Sequence, residues 1–91
     1  MSVSVRIPTT LRTLTAGRSE ISLEGSSVRE VLASLDQAHP GFAGRLLDDD
    51  GNLRRFVNVF VADDDIRFLK GLDTPVPDGS EVSIIPAVDG G

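Results

Sequence analysis

The residue types that most often carry chemistry are scarce in this chain. There is no cysteine, so disulfides, thiolate metal sites and a thiol nucleophile are excluded. His39 is the single histidine. It stands before Pro40 and reads as a surface residue at a helix end, where a cation is mildly favoured. No Ser/His/Asp set and no histidine-based metal site can be assembled around it. Two aspartate triplets, Asp48-Asp49-Asp50 and Asp63-Asp64-Asp65, invite a calcium reading. The first is followed by Gly51-Asn52 but lacks the ligand spacing and distant glutamate of an EF-hand loop. Both triplets read as solvated turns. Gly41, Gly44 and Gly51 make no phosphate loop, because no Gly-Lys-Ser/Thr follows a strand. What remains is the end of the sequence, Gly90-Gly91, with its terminal carboxylate. Glycine has no Cβ, so this pair can pass a narrow slot and take backbone angles closed to other residues.

The elements that must hold this end can be read from periodicity. Val3-Ser4-Val5-Arg6-Ile7 alternates apolar and polar residues, as a half-buried strand does, and Pro8 ends it. Thr9-Thr10 and Ala16-Gly17-Arg18 read as a turn. Ser19-Glu20-Ile21-Ser22-Leu23-Glu24 alternates again, so the first two strands form a hairpin. Ser27 and Glu30 match a capping box: the hydroxyl accepts from the Glu30 amide and the carboxylate reaches back to the Ser27 amide. Val28, Val31, Leu32 and Leu35 then share one helical face. The helix should stop near His39, because Pro40 disfavours a helical residue before it. Phe42, Leu46 and Leu47 suggest a short second helical turn. Phe56-Val57-Asn58-Val59-Phe60-Val61 is the most strand-like stretch. Asp63-Asp64-Asp65 is expected as a turn and Ile66-Arg67-Phe68 as a short strand. Pro75 and Pro77 exclude a central strand, Asp78-Gly79 signals a turn, and Glu81-Val82-Ser83-Ile84-Ile85 is the last strand.

One amphipathic helix and one mixed sheet of four to five strands make a two-layer α+β domain. The expected division is a domain over residues 1–85 and an extended, flexible tail over residues 86–91. Six extended residues reach roughly 20 Å at ~3.3–3.6 Å each, enough to thread into a partner's active site. Pro86 stiffens the exit and restrains Ile85 to extended angles. Ala87, Val88, Asp89 and Gly90 would occupy the passage, and Gly91 would present the reactive carboxyl.

The 91 residues are one domain's worth. Apolar residues at 40% and charged residues at 25% place the chain among globular domains rather than disordered ones. The net charge of −5 argues against general nucleic-acid binding, which needs a positive face toward phosphates. It suits a basic partner or simple solubility. No apolar run is long enough to span a bilayer, and the N-terminus lacks the pattern of a secretory signal. A cytoplasmic, monomeric protein without membrane contact is expected.

Three stretches carry a resemblance to a known family. Asp78-Gly79-Ser80-Glu81-Val82 resembles the turn into the last strand of the ThiS/MoaD sulfur carriers. Ile84-Ile85-Pro86-Ala87-Val88-Asp89-Gly90-Gly91 resembles their strand, proline and diglycine terminus. Residues 55–61, with 65–68 after them, resemble the CysO-type branch, which serves actinobacterial cysteine synthesis. Ser80 stands where an acidic residue is common, and the loop over residues 47–53 is variable in length and charge. The resemblance implies the ubiquitin-like β-grasp fold.

It also implies a chemistry. A ubiquitin-E1-like enzyme, an adenylyltransferase and sulfurtransferase, would use ATP to adenylylate the Gly91 carboxylate. A sulfur donor would then displace AMP, leaving a thiocarboxylate. A downstream synthase would accept that sulfur for cysteine, thiosugar, thiamin or molybdopterin products. Without cysteine, the sulfur has no side-chain thiol to sit on. The chain would be a co-substrate and not an enzyme, with no catalytic residue, metal or bound cofactor of its own; ATP belongs to the partner. As given, the end needs no trimming.

The docking surface is expected on the open face of the sheet. If Val57, Val59 and Val61 point toward the helix, Asn58 and Phe60 point away. If Val82 and Ile84 point inward, Ile85 points outward. Phe60 and Ile85 would then form an exposed apolar patch of the kind that marks an interface, unless Phe60 tucks under a loop. A register slip of one residue would reverse the assignment. Two other functions stay open: a protein modifier joined through Gly91 to lysines, and a β-grasp adaptor with an incidental tail.

Overall fold

The computed structural model describes residues 2–86. Five strands and two helices follow in the order β1 (Val3–Arg6), β2 (Glu20–Leu23), α1 (Val28–Ala38), α2 (Phe42–Leu46), β3 (Val57–Val61), β4 (Asp64–Asp65) and β5 (Glu81–Pro86). The sheet order is β2-β1-β5-β3-β4. β1 and β5 are the parallel pair at its centre, and every other pairing is antiparallel. This is the two-layer β-grasp arrangement, with α1 covering one face of a mixed sheet.

Burial follows the alternation. Val5, Val82 and Val61 lie side by side across the three central strands, with Val59 opposite Ile84 in the next row, and all five are buried. They meet Val28, Val31 and Leu35 of α1, which are closed to water. Phe42 and Leu46 of α2 seal the end of this core. Gly25 lets the chain enter α1 tightly: a Cβ there would lie 2.8 Å from the Val31 backbone nitrogen. At the start of α1, Ser27 Oγ accepts from the Glu30 amide at 3.2 Å. The return arm of the capping box differs from expectation. The Glu30 carboxylate accepts from the Ser26 amide and the Ser26 hydroxyl, both at 2.9 Å, instead of the Ser27 amide. The backbone bond from Ser26, then its hydroxyl, hold the Glu30 carboxyl below its ordinary value. α1 ends at Ala38, and the amide of half-buried His39 donates to the Leu35 carbonyl.

Two connections also depart from the sequence reading. Residues 9–15 form a 3₁₀ helix, with Leu11 and Thr15 buried, where a simple turn was expected. Ile66–Phe68 is a 3₁₀ turn, and the short strand falls one step earlier, at Asp64–Asp65. The cause is local. The Asp65 carboxylate accepts from the Arg67 amide at 2.8 Å and starts a helical turn there, while the two-residue turn at Ala62-Asp63 returns the chain directly against β3. An aspartate side chain that satisfies a backbone donor two residues on favours a turn over a ladder.

Candidate functional site

β5 leads to the end of the sequence, so the surroundings of its last residues define the base of the expected site. Its ladder with β3 sets Val57 opposite Pro86, Asn58 opposite Ile85, Val59 opposite Ile84 and Phe60 opposite Ser83. Val57, Val59, Val61, Val82 and Ile84 are buried and point to the core. The register therefore matches the sequence reading, and Asn58, Phe60 and Ile85 share the open face. The last strand runs one residue further than expected: Pro86 is paired, half-buried, and part of β5. A proline is tolerated there because its missing donor falls at the end of the ladder. Gly91, Gly90, Asp89, Val88 and Ala87 lie outside the described residues.

Across the open face, Glu20, Arg6, Ser83, Phe60 and Asp65 form one row spanning all five strands. Asn58 and Ile85 form the next row toward the chain end. Ile85 is 49% exposed. Phe60 is less open than expected: it is half-buried, between Ser83 and Asp65 on its two neighbouring strands. The apolar centre of this face is thus Ile85.

Arg67 braces the same corner. Its Nη1 donates to Asn58 Oδ1, and its Nη2 donates to the Arg54 carbonyl at 3.0 Å. One guanidinium thereby ties the open face to the turn that precedes β3. That turn carries Phe56, 66% exposed and next to the Val57–Pro86 pair. Phe56 was not among the residues expected in the exposed apolar patch, although it shares the parity of Asn58 and Phe60 and so could have been assigned outward by alternation. Phe68 is more exposed still, at 86%. It was hidden by the mistaken strand at residues 66–68. The Arg67 brace left no periodic signal, since it depends on the 3₁₀ turn.

On the other side of β5 a groove of about 320 Å³ opens between its last residues and the segment after β1, lined in part by Arg6, Pro8, Arg12, Ile85 and Pro86. Among the described residues, no group of three or more His, Cys, Asp or Glu side chains could hold a metal ion. No helix among them is long and apolar enough to cross a membrane.

A β-grasp body with this strand order defines a ubiquitin-like protein. Comparison with known proteins narrows this class. The profile of the ThiS family matches residues 5–91, and the chain belongs to that family. It is 44% identical over 93 residues to the sulfur carrier protein CysO of Mycobacterium tuberculosis, covering all of both chains. A chain in the crystal structure of the Amycolatopsis orientalis BexX/CysO complex superposes with a TM-score of 0.92 at 43% identity, covering 98% of this chain and 99% of that one. Small archaeal modifier protein 3 of Haloferax volcanii is 38% identical over 68 residues, 75% of this chain and 73% of that protein.

Proposed function

We propose that this chain is a sulfur carrier of the ThiS type that works through the carboxyl group of Gly91. The observation that carries the reading is the union of a β-grasp body, whose last strand β5 directly precedes the tail in sequence, with a Gly-Gly end and full-length likeness to CysO carriers. A carboxylate is a poor acyl electrophile, so activation must first supply a leaving group. In an E1-like enzyme the Gly91 carboxylate oxygen attacks the α-phosphorus of ATP. Pyrophosphate leaves and an acyl-adenylate forms. A sulfur nucleophile then attacks the acyl carbon, AMP leaves, and a C-terminal thiocarboxylate remains. A downstream synthase takes up that sulfur. The chain supplies no acid, base or metal to either step; it binds, and it presents its end.

The body's part is docking. Ile85 and Phe56 offer apolar contact beside the tail base, and Asn58 with Arg67 offers polar contact around it. An apolar centre with a polar rim is the usual anatomy of a specific interface. The BexX/CysO complex of Amycolatopsis orientalis supports the view that a carrier of this shape docks on a separate protein. The likeness to CysO favours an amino-acid acceptor in cysteine synthesis, and the acceptor is chosen by the partner.

A second reading has a specific observation behind it. The relative from Haloferax volcanii is a small archaeal modifier protein, and conjugation of Gly91 to lysines would begin from the same adenylate. Mass spectrometry of the chain recovered from its own cells separates the two. A carrier shows one sulfur in place of one oxygen on the C-terminal peptide, and that sulfur is capped by thiol-directed alkylators. A modifier shows branched Gly-Gly-lysine peptides from larger proteins. Recovery of only the unmodified carboxylate, under conditions that demand sulfur, would contradict both.

A further inference from the structure

The groove beside β5 has a cause in the backbone. β1 and β5 pair in parallel only from Ser4 opposite Glu81 to Arg6 opposite Ser83. Carried one step further, the register would bring Pro8 to the Ile84 carbonyl. A proline has no N–H to give, so the ladder stops. The Ile7 amide faces β2 by alternation and donates to the Ser19 carbonyl at 2.8 Å, and the Pro8 carbonyl accepts from the Leu11 amide. The last stretch of β5 is thereby left open on its β1 side.

Two arginines stand over this opening in a chain of net charge −5. Arg12 is half-buried and fixed, its Nε donating to the Ile7 carbonyl at 3.0 Å. Its remaining donors have no hydrogen-bond partner among the described residues. Among the described residues the Arg6 side chain is bound only to Glu81, by a single contact of 3.3 Å between side chains 63% and 41% exposed. An exposed pair of that kind holds weakly and can be exchanged. The groove is continuous with the docking face through Ile85 and Pro86.

We propose that this groove receives a carboxylate side chain, aspartate or glutamate, from the tail-accepting enzyme, held between Arg6 and Arg12, with Arg6 released from Glu81. The assignment rests on the carrier reading above. Two guanidinium groups present planar, charged donors suited to a carboxylate. The groove lies at the base of the tail and not at its reacting end. It therefore sets affinity and encounter rate, and leaves the chemical step alone. Arg6 and Arg12 are positioning residues in this scheme.

Steady-state pyrophosphate release by the organism's own E1-like activating enzyme, with the full chain as substrate, provides the test. Arg6→Glu and Arg12→Glu are expected each to raise the carrier KM by about tenfold with kcat unchanged. Wild-type KM should rise with added salt, and the double variant should lose most of that dependence. Arg12→Lys should keep much of the effect, since it keeps the charge. Thermal unfolding of each variant guards against misfolding, and Arg6→Glu leaves the fixed Arg12 bond to Ile7 intact. Arg29→Glu, whose partner is Asp73, controls for net charge. If Arg6→Glu, folded, is activated with wild-type KM and salt dependence, the groove proposal fails while the carrier reading stands. If the wild-type chain releases no pyrophosphate, both fail. The chain's own carboxylate is the rival occupant: should deletion of Gly90 and Gly91 shift the side-chain NMR resonances of Arg6 and Arg12 in the isolated protein, the partner carboxylate is overturned.

Discussion

Ile84 and Ile85 are adjacent in β5 and face opposite ways, so the same truncation at each separates folding from docking. Ile84 is 2% exposed and packed in the core, while Ile85 is 49% exposed on the open face. Ile84→Ala removes buried carbon and leaves a cavity, which costs about 2–5 kcal/mol. Since about 1 kcal/mol shifts the midpoint by about 4–8 °C in a domain of this size, its Tm should fall by about 10 °C or more. At Ile85 only about half of the side chain is buried, and full burial is worth about 1.5–3 kcal/mol. Ile85→Ala should therefore cost about 1 kcal/mol and a few degrees. The exposed half becomes buried if the enzyme docks there. By the same area argument that is worth about another 1 kcal/mol, or about a fivefold rise in carrier KM. Thermal unfolding by circular dichroism and pyrophosphate release read the two effects on the same samples. Equal loss of stability in both variants would mean that the register is wrong. A stable Ile85→Ala with unchanged KM would mean that the enzyme docks elsewhere.

Three further outcomes follow from local geometry. Gly25→Ala puts a Cβ against the Val31 backbone, so the start of α1 must shift; a loss of about 1–3 kcal/mol is expected in denaturant unfolding. Ala62 holds φ of 57° at the turn between β3 and β4, where a glycine is at ease. The strain relieved, about 1–2 kcal/mol, outweighs the added chain entropy of about 0.4–1 kcal/mol, so Ala62→Gly should raise Tm. Glu30 has its carboxyl pKa lowered, chiefly by the Ser26 amide, from 4.5. Its stabilising effect is present above that ordinary value and is lost as pH falls through the lowered one. The stability gap between wild type and Glu30→Gln should be widest near neutral pH and close in acid.

Much of this was legible because alternation and helical spacing report burial directly. Residues 57–61 gave the correct facing of every side chain in β3, and Val28, Val31, Leu32 and Leu35 gave the buried face of α1. The misreadings fall where a single side chain overrides periodicity. Asp65 captures the Arg67 amide and turns an apparent strand into a 3₁₀ turn. Ser26, one residue before the cap, takes the Glu30 carboxylate because its amide and hydroxyl both face it. Phe60, expected in the open, is half-buried on a row it shares with Ser83 and Asp65. The arginine groove was illegible for another reason: Ile85 and Pro86 are remote in sequence from Arg6 and Arg12, and only the parallel pairing of β1 with β5 brings them together.

The most direct test of the account is the intact mass of the chain after incubation with its activating enzyme, ATP and sulfide. The natural end should gain sulfur for oxygen at Gly91, located by fragmentation of the C-terminal peptide. The double variant Gly90→Ala, Gly91→Ala and a form extended by one residue should remain unmodified. Equal sulfur uptake by all three would contradict the claim that the bare diglycine end is the working group.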